Sequence, residues 1–198
     1  MKKLLTLLTA TAFATAVFAA EIGKPAPDFT GTDINGKTVK LSDYKGKIVV
    51  IESYNSDCPF CKNQYGGATQ ALQKELADKG VVWLLVNSVN SKNSSHRTPE
   101  QAQKEWTDLK IAATAWIDDS SGEIGHLYDM KTTPHCFVIA ADGTLVYDGA
   151  IDNKPDPKHD PSTAKNYVRA AVDSLQAGKA VEVSQTKPYG CGVKYAAK

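Results

Sequence analysis

The chain has 198 residues, 42% of them hydrophobic and 23% charged, with 23 Lys and Arg against 22 Asp and Glu. So even a balance argues against nucleic acid or an anionic membrane surface as the main partner. With the first twenty residues set aside, about 178 remain, enough for one domain whose core does not depend on disulfides to fold.

The chain opens MKKLLTLLTATAFATAVFAA. Two lysines, an apolar run of about fifteen residues and a small-residue end describe a secretory signal peptide, too short for a comfortable membrane span. Small residues at the cut and at the third position before it predict cleavage after Ala19, with Val17 upstream. Residues 1–19 are thus expected to be removed, and the mature protein to be periplasmic or extracellular without stable membrane insertion. Cleavage also removes Lys2 and Lys3, leaving 21 basic residues against 22 acidic ones.

From Glu21 the chain reads as a hairpin: an extended piece closed by Phe29, a turn at Asn35-Gly36, and a strand over Thr38 to Leu41. IVVIESY (48–54) is a β-branched, nearly continuous apolar run of the kind buried on both faces of a sheet. It ends at SDCPFC (56–61), where Pro59 suits a first helical position. A helix with a bend at Gly66-Gly67 is predicted to reach Lys79, and VVWLLVNSV (81–89) is a second buried strand. Thr98-Pro99-Glu100 starts a helix to about Leu109. A strand over 114–117, a helix over 121–128, and a hairpin made of PHCFVIA (134–140) and TLVYDG (144–149) follow. Ser162 or Thr163 is expected to cap a last helix to about Ala177, leaving 178–198 as an irregular tail.

Helical crossovers between buried strands imply a mostly parallel sheet between helix layers, with an antiparallel hairpin at one side. Such sheets react at the carboxyl ends of their strands, where Cys58 lies. A C-x-x-C pair between a strand and a helix reads as a redox dithiol. Unpaired N–H groups and the positive helix end favour a thiolate at Cys58, while Cys61, one turn inside, is shielded. Attack by Cys58 on a substrate disulfide and release through Cys61 would give thiol–disulfide exchange.

At these residues the chain resembles the thioredoxin superfamily, and within it exported thiol–disulfide oxidoreductases with a redoxin (alkyl hydroperoxide reductase/thiol-specific antioxidant) front end. IGKPAPDFTGTDINGKTVKLSDYKGKIVVIESY resembles that front end, CPFC the dithiol, and TTPHCFVI the loop whose cis-proline faces it. The resemblance runs from about Glu21 to Ala177. It implies a thioredoxin-like three-layer α/β sandwich over residues 20–177: a central mixed sheet with helices on both faces, an N-terminal β-hairpin extension and a C-terminal tail (178–198) packed on the domain. It also implies a protein-disulfide reductase or isomerase type of enzyme with antioxidant activity, no cofactor and no metal. Its partners would be cysteine-containing exported proteins and a membrane electron donor.

Glu52 interrupts an apolar strand six residues before Cys58. A buried, unpaired carboxylate is costly, so it is expected to be neutral, paired or functional; the alternative is a carboxylate escaping at a sheet edge. The resemblance assigns it proton transfer with Cys61. Thr133 and Pro134 would be the docking surface, where backbone groups beside a cis-proline pair with an extended substrate. Asp57 stands where the family often has Trp, and Phe60 where strongly oxidising relatives have His. A carboxylate beside Cys58 opposes ionisation, which predicts a Cys58 pKa of roughly 6.5–8 and a moderately reducing to intermediate potential.

Two other activities stay open on the sequence. A peroxiredoxin-like peroxidase shares the front end, but Ile51 and Asn55 occupy the proline and threonine positions of the peroxidase pattern. A copper carrier would use Cys58, Cys61 and His135, although His135 alternates with Pro134 and Cys136 and should pack on the other sheet face. Finally, Cys136 and Cys191 would not normally stay free in an oxidising compartment. A Cys136–Cys191 disulfide is expected to hold down a tail too poor in apolar residues to dock unaided, contributing about 4 kcal/mol. A second redox pair feeding Cys58–Cys61 is the alternative role.

Overall fold

The computed structural model describes residues 19–197, so the signal-peptide expectation for residues 1–19 falls almost wholly outside the described residues. Among those described, no helix is long and apolar enough to cross a membrane.

The strands are β1 (Thr30–Asp33), β2 (Thr38–Lys40), β3 (Val49–Ser53), β4 (Val82–Asn87), β5 (Ala115–Asp118), β6 (Thr132–Thr133), β7 (His135–Ile139), β8 (Leu145–Gly149) and β9 (Cys191–Gly192). Seven form one mixed sheet in the order β2-β1-β5-β4-β3-β7-β8, and β6 with β9 forms a separate two-stranded sheet. The apolar strands β3 and β4 lie side by side and parallel at its centre, as continuous hydrophobic runs require. The front hairpin joins this sheet through β5 instead of standing apart.

The helices are α1 (Pro59–Gln64), α2 (Ala68–Asp78), α3 (Pro99–Asp108), α4 (Glu123–Leu127) and α5 (Tyr167–Gln176). Alternation along β3 divides the core. Val50 shares one face with Leu72 and Leu76 of α2, Ala102 of α3 and Val168 and Val172 of α5. Val49 and Ile51 share the other with Leu41, Ile124 of α4 and Tyr128. This is the expected thioredoxin-like sandwich with helices on both faces. The Gly66-Gly67 bend separates α1 from α2, and the Thr98 hydroxyl caps α3 by accepting from Gln101 N at 3.3 Å.

Two local expectations need correction. Residues 161–163 make a separate 3₁₀ turn, and Asn166 caps α5 by accepting from Arg169 N at 2.8 Å. The tail is also more ordered than its composition suggested. The Asp148 N–H donates to Ser184 O, the Thr186 N–H to Asp148 O, and the Asn90 N–H to Lys194 O. Thr186 Oγ1 accepts from Ala150 N at 2.9 Å, and Tyr195 stacks on His126 with ring centroids 4.1 Å apart. Backbone pairing and aromatic contacts therefore dock the tail without a covalent link.

Candidate active site

The carboxyl end of β3 delivers the chain to Cys58, which is the N-cap of α1 with an extended backbone (φ −74°, ψ 123°), and Pro59 follows it at the first helical position. Lys62 N donates to Cys58 O and closes the first turn. Both thiols are buried, Cys58 at 1% and Cys61 at 0% exposure. The Thr133–Pro134 peptide is cis, and Thr133 O lies 2.9 Å from Cys58 Sγ. Dithiol, Thr133 and Pro134 thus meet at one point, as the resemblance implied.

The two thiols ionise very differently. Cys58 is held far below an ordinary thiol, at about 4, chiefly by the Cys61 thiol donating to it. Burial opposes this, while the Cys191 thiol, the Thr133 side chain and the Cys61 backbone N–H add further donors. The Thr133 carbonyl favours a protonated Cys58, but one acceptor is outweighed by several donors that favour the thiolate. Burial, with the neighbouring Cys58, pushes Cys61 well above its usual value. Cys58 is thus poised as a thiolate beside a Cys61 thiol that stays protonated until something takes its proton.

The sequence-based range of 6.5–8 for Cys58 therefore needs revision, chiefly because it took no account of the Cys61 thiol as a donor, and the opposing charge it invoked, that of Asp57, is itself compensated. Its Oδ1 accepts from Arg97 Nη2 at 2.7 Å, and Lys62 Nζ lies 3.9 Å away. Arg97 foremost holds this partly exposed carboxylate below its usual range. The charge beside Cys58 is largely compensated, and screened by solvent as well.

Glu52 sits at the centre of the sheet, between β4 and β7, which rules out the edge position. It is fully buried. Oε2 accepts from Tyr65 Oη at 2.8 Å and Trp83 Nε1 at 2.9 Å, while Oε1 is buried without a partner. Burial pushes its pKa up to about 7, against the two hydrogen bonds that favour the carboxylate. Its charge also acts on Cys61, raising that thiol. A half-satisfied carboxyl that titrates near neutrality, in the field of the resolving thiol, suits proton transfer. Sequence reasoning did not bring Tyr65 or Trp83 to this site. Tyr65 falls one turn after Cys61, and both lie on the sheet face that carries Glu52, so periodicity was the available signal.

The expected Cys136–Cys191 bridge is not formed; all four cysteines are free. Cys136 faces Glu52 across the β3–β7 pairing and is buried, which pushes its thiol up. Cys191 pairs with Thr133 in the β6–β9 sheet. Three residues of strand from Thr133 to Cys136 amount to roughly 10 Å, beyond the reach of a disulfide from that register. Cys191 instead comes within hydrogen-bonding reach of Cys58. The copper reading loses its third ligand, because His135 Nδ1 accepts from Lys131 N and Nε2 pairs with Asp148 at 2.6 Å. As expected, His135 packs on the face opposite Cys136, against Phe137.

Comparison with known proteins agrees with this geometry. The thiol–disulfide oxidoreductase ResA of Bacillus thuringiensis is 29% identical over 126 residues, 64% of this chain and 68% of that protein. The crystal structure of an uncharacterized conserved protein from Geobacillus kaustophilus superposes with a TM-score of 0.81 at 29% identity, covering 90% of this chain and 94% of the other. A thiol:disulfide interchange protein DsbE from Chlorobium tepidum superposes with a TM-score of 0.53 at 26% identity, over 66% of this chain and 85% of that one. The AhpC/TSA family profile matches residues 22–148, more than half of the sequence and including both Cys58 and Cys61. The chain belongs to the AhpC/TSA family.

Proposed function

We propose that this protein is an exported thiol–disulfide oxidoreductase that exchanges disulfides with cysteine-containing exported proteins. The observation that carries the reading is the meeting of Cys58 at the N-cap of α1, Cys61 one turn inside it and the Thr133 carbonyl 2.9 Å from Cys58 Sγ, with the opposed ionisation of the two thiols and the buried Glu52 in agreement. The Cys58 thiolate attacks one sulfur of a substrate disulfide and forms a mixed disulfide, and the other substrate sulfur leaves as a thiolate. Glu52 takes the Cys61 proton; Cys61 then attacks Cys58 Sγ, closing the Cys58–Cys61 disulfide and releasing the second substrate thiolate. The reverse sequence oxidises a dithiol. A thiolate this favoured stabilises the reduced enzyme, so the potential should lie on the oxidising side of the reducing-to-intermediate range expected from the sequence.

Export rests on the signal-peptide pattern of residues 1–19 and places the protein in the periplasm or outside the cell, where a membrane electron donor would renew the dithiol. Equilibration of the mature protein with glutathione, together with insulin reduction, tests the exchange reading. A Cys58–Cys61 couple that turns over insulin is expected. A protein that forms no such disulfide, or forms it without turnover, overturns the reading.

Peroxide reduction is the second reading, favoured by the family match. Against it, Ile51 and Asn55 supply neither the proline nor the hydroxyl of the peroxidase pattern, and Asn55 Oδ1 is engaged by Asp57 N at 2.9 Å. Hydrogen peroxide consumption with a thiol donor separates the two.

A further inference from the structure

The backbone edge at Thr133, where an extended substrate would dock, is already taken by the chain's own tail. Strand β9 runs antiparallel to β6 with Cys191 opposite Thr133 and Gly192 opposite Thr132. Thr133 Oγ1 lies 3.4 Å from Cys191 O, and the Val193 N–H donates to Lys131 O at 3.2 Å. The approach is close enough to require Gly190. A Cβ there would stand 2.1 Å from Thr133 O, and its φ of +136° is one that other residues rarely adopt. Just upstream, Tyr189 packs on Phe60, between the two cysteines, with ring centroids 5.7 Å apart.

Strand β9 thus brings Cys191 to Thr133, the residue whose carbonyl oxygen lies 2.9 Å from Cys58 Sγ. The Cys191 thiol donates toward Cys58, and burial together with that neighbour pushes Cys191 itself up to about 11. Cys191 is the fourth cysteine of the chain and has no part in the exchange cycle above.

We propose that Cys191 is a third redox-active cysteine, presented by β9 as an in-chain substrate that exchanges with the Cys58–Cys61 disulfide to give a Cys58–Cys191 disulfide. The inference rests on Cys58 being the exchanging nucleophile. The step is an isomerisation and needs no outside oxidant. Cys191 gives up its proton and attacks Cys58 Sγ, the Cys58–Cys61 bond breaks, and Cys61 leaves as a thiolate that takes up one proton. One disulfide replaces another. The tail is then bonded over the docking edge, and an external strand must displace it to reach Cys58.

The test is non-reducing peptide mapping of the Cys61→Ser protein after treatment with oxidised glutathione, beside the wild type. In the variant a Cys58–Cys191 disulfide is expected to displace the glutathione adduct at Cys58. Adding Gly190→Val, which drives β9 off Thr133, should leave that adduct in place. A lasting adduct in Cys61→Ser itself, or a bond from Cys58 to Cys136, overturns the inference. A Cys58–Cys191 bond that survives Gly190→Val equally removes the strand pairing as its cause. If Cys61→Ser does not fold, wild-type protein quenched with acid at intermediate glutathione potentials serves instead, and should contain both Cys58–Cys61 and Cys58–Cys191 species. Only the first species there overturns the inference while the exchange reading stands; neither species overturns both.

Discussion

Arg97 donates from Nη2 to Asp57 Oδ1 at 2.7 Å, and from Nε to Glu105 Oε2 at 3.4 Å. A loop far along the chain thus compensates the one acid adjacent to Cys58. Arg97→Gln should release that charge and raise the Cys58 pKa by roughly half a unit, a small effect because the pair is partly exposed. Ultraviolet titration of the thiolate measures it. An unchanged titration would show that Asp57 does not act on Cys58 at all.

Glu52→Gln removes the carboxylate proposed to accept the Cys61 proton while keeping an oxygen for Tyr65 Oη and Trp83 Nε1. Release of a preformed Cys58 mixed disulfide should slow by about 10²-fold near pH 8, where wild-type Glu52 is ionised. In the wild type this rate should climb through pH 7, following a carboxyl raised to about 7; in the variant that inflection should vanish. Attack by Cys58 on an outside disulfide should be unaffected. Stopped-flow measurement across pH 5–9 reads both steps, and an inflection kept in the variant would assign it to another group.

The same carboxyl ties stability to pH. Its folded-state pKa of about 7 lies above the ordinary 4.5, so the folded protein binds the proton more tightly than the unfolded chain. The stabilising contribution is complete below pH 4.5 and is lost as pH rises through 7, in all about 3 kcal/mol. Glu52→Gln should flatten this fall. Urea denaturation of wild type and variant at pH 5 and pH 8 checks the difference, and an equal fall in both would exclude Glu52 as its source.

Tyr65→Phe removes one of the two hydrogen bonds that favour ionised Glu52. The inflection in mixed-disulfide release should then move upward by about one unit. A downward shift, or none, would mean that Tyr65 does not hold the carboxylate.

In the reduced protein Cys58 is buried, and β9 pairs with the Thr133 edge beside it. Gly190→Val should raise its rate of alkylation by iodoacetamide at least tenfold at fixed pH, because the clash with Thr133 O lifts the tail. Mass spectrometry of the alkylated peptides distinguishes Cys58 from Cys191. An unchanged Cys58 rate would mean that the tail does not limit access.

The family resemblance implied the Thr133–Pro134 approach, and β6 and β9 were not legible, but most of the strand and helix order, the place of Cys58 between β3 and α1 and the oddity of Glu52 could be read from the chain. These are local matters: runs such as IVVIESY and VVWLLVNSV declare buried parallel strands, and a proline beside a cysteine declares a helix start. The environment of those same residues came only from the tertiary structure. The low Cys58 pKa comes first from the Cys61, Cys191 and Thr133 donors that the fold gathers round it, and Arg97, which compensates Asp57, lies forty residues away, so neither was visible in the local pattern. Placement of Glu52 at the sheet centre, with Tyr65 and Trp83 on one oxygen and none on the other, depends on strand order. Composition made the tail look unable to dock, yet backbone pairing is blind to side-chain type, and a glycine at 190 lets β9 lie against Thr133. That register alone decided that Cys191 meets Cys58 and not Cys136, because strand pairing sets position to within a residue while spacing along the chain says nothing of it.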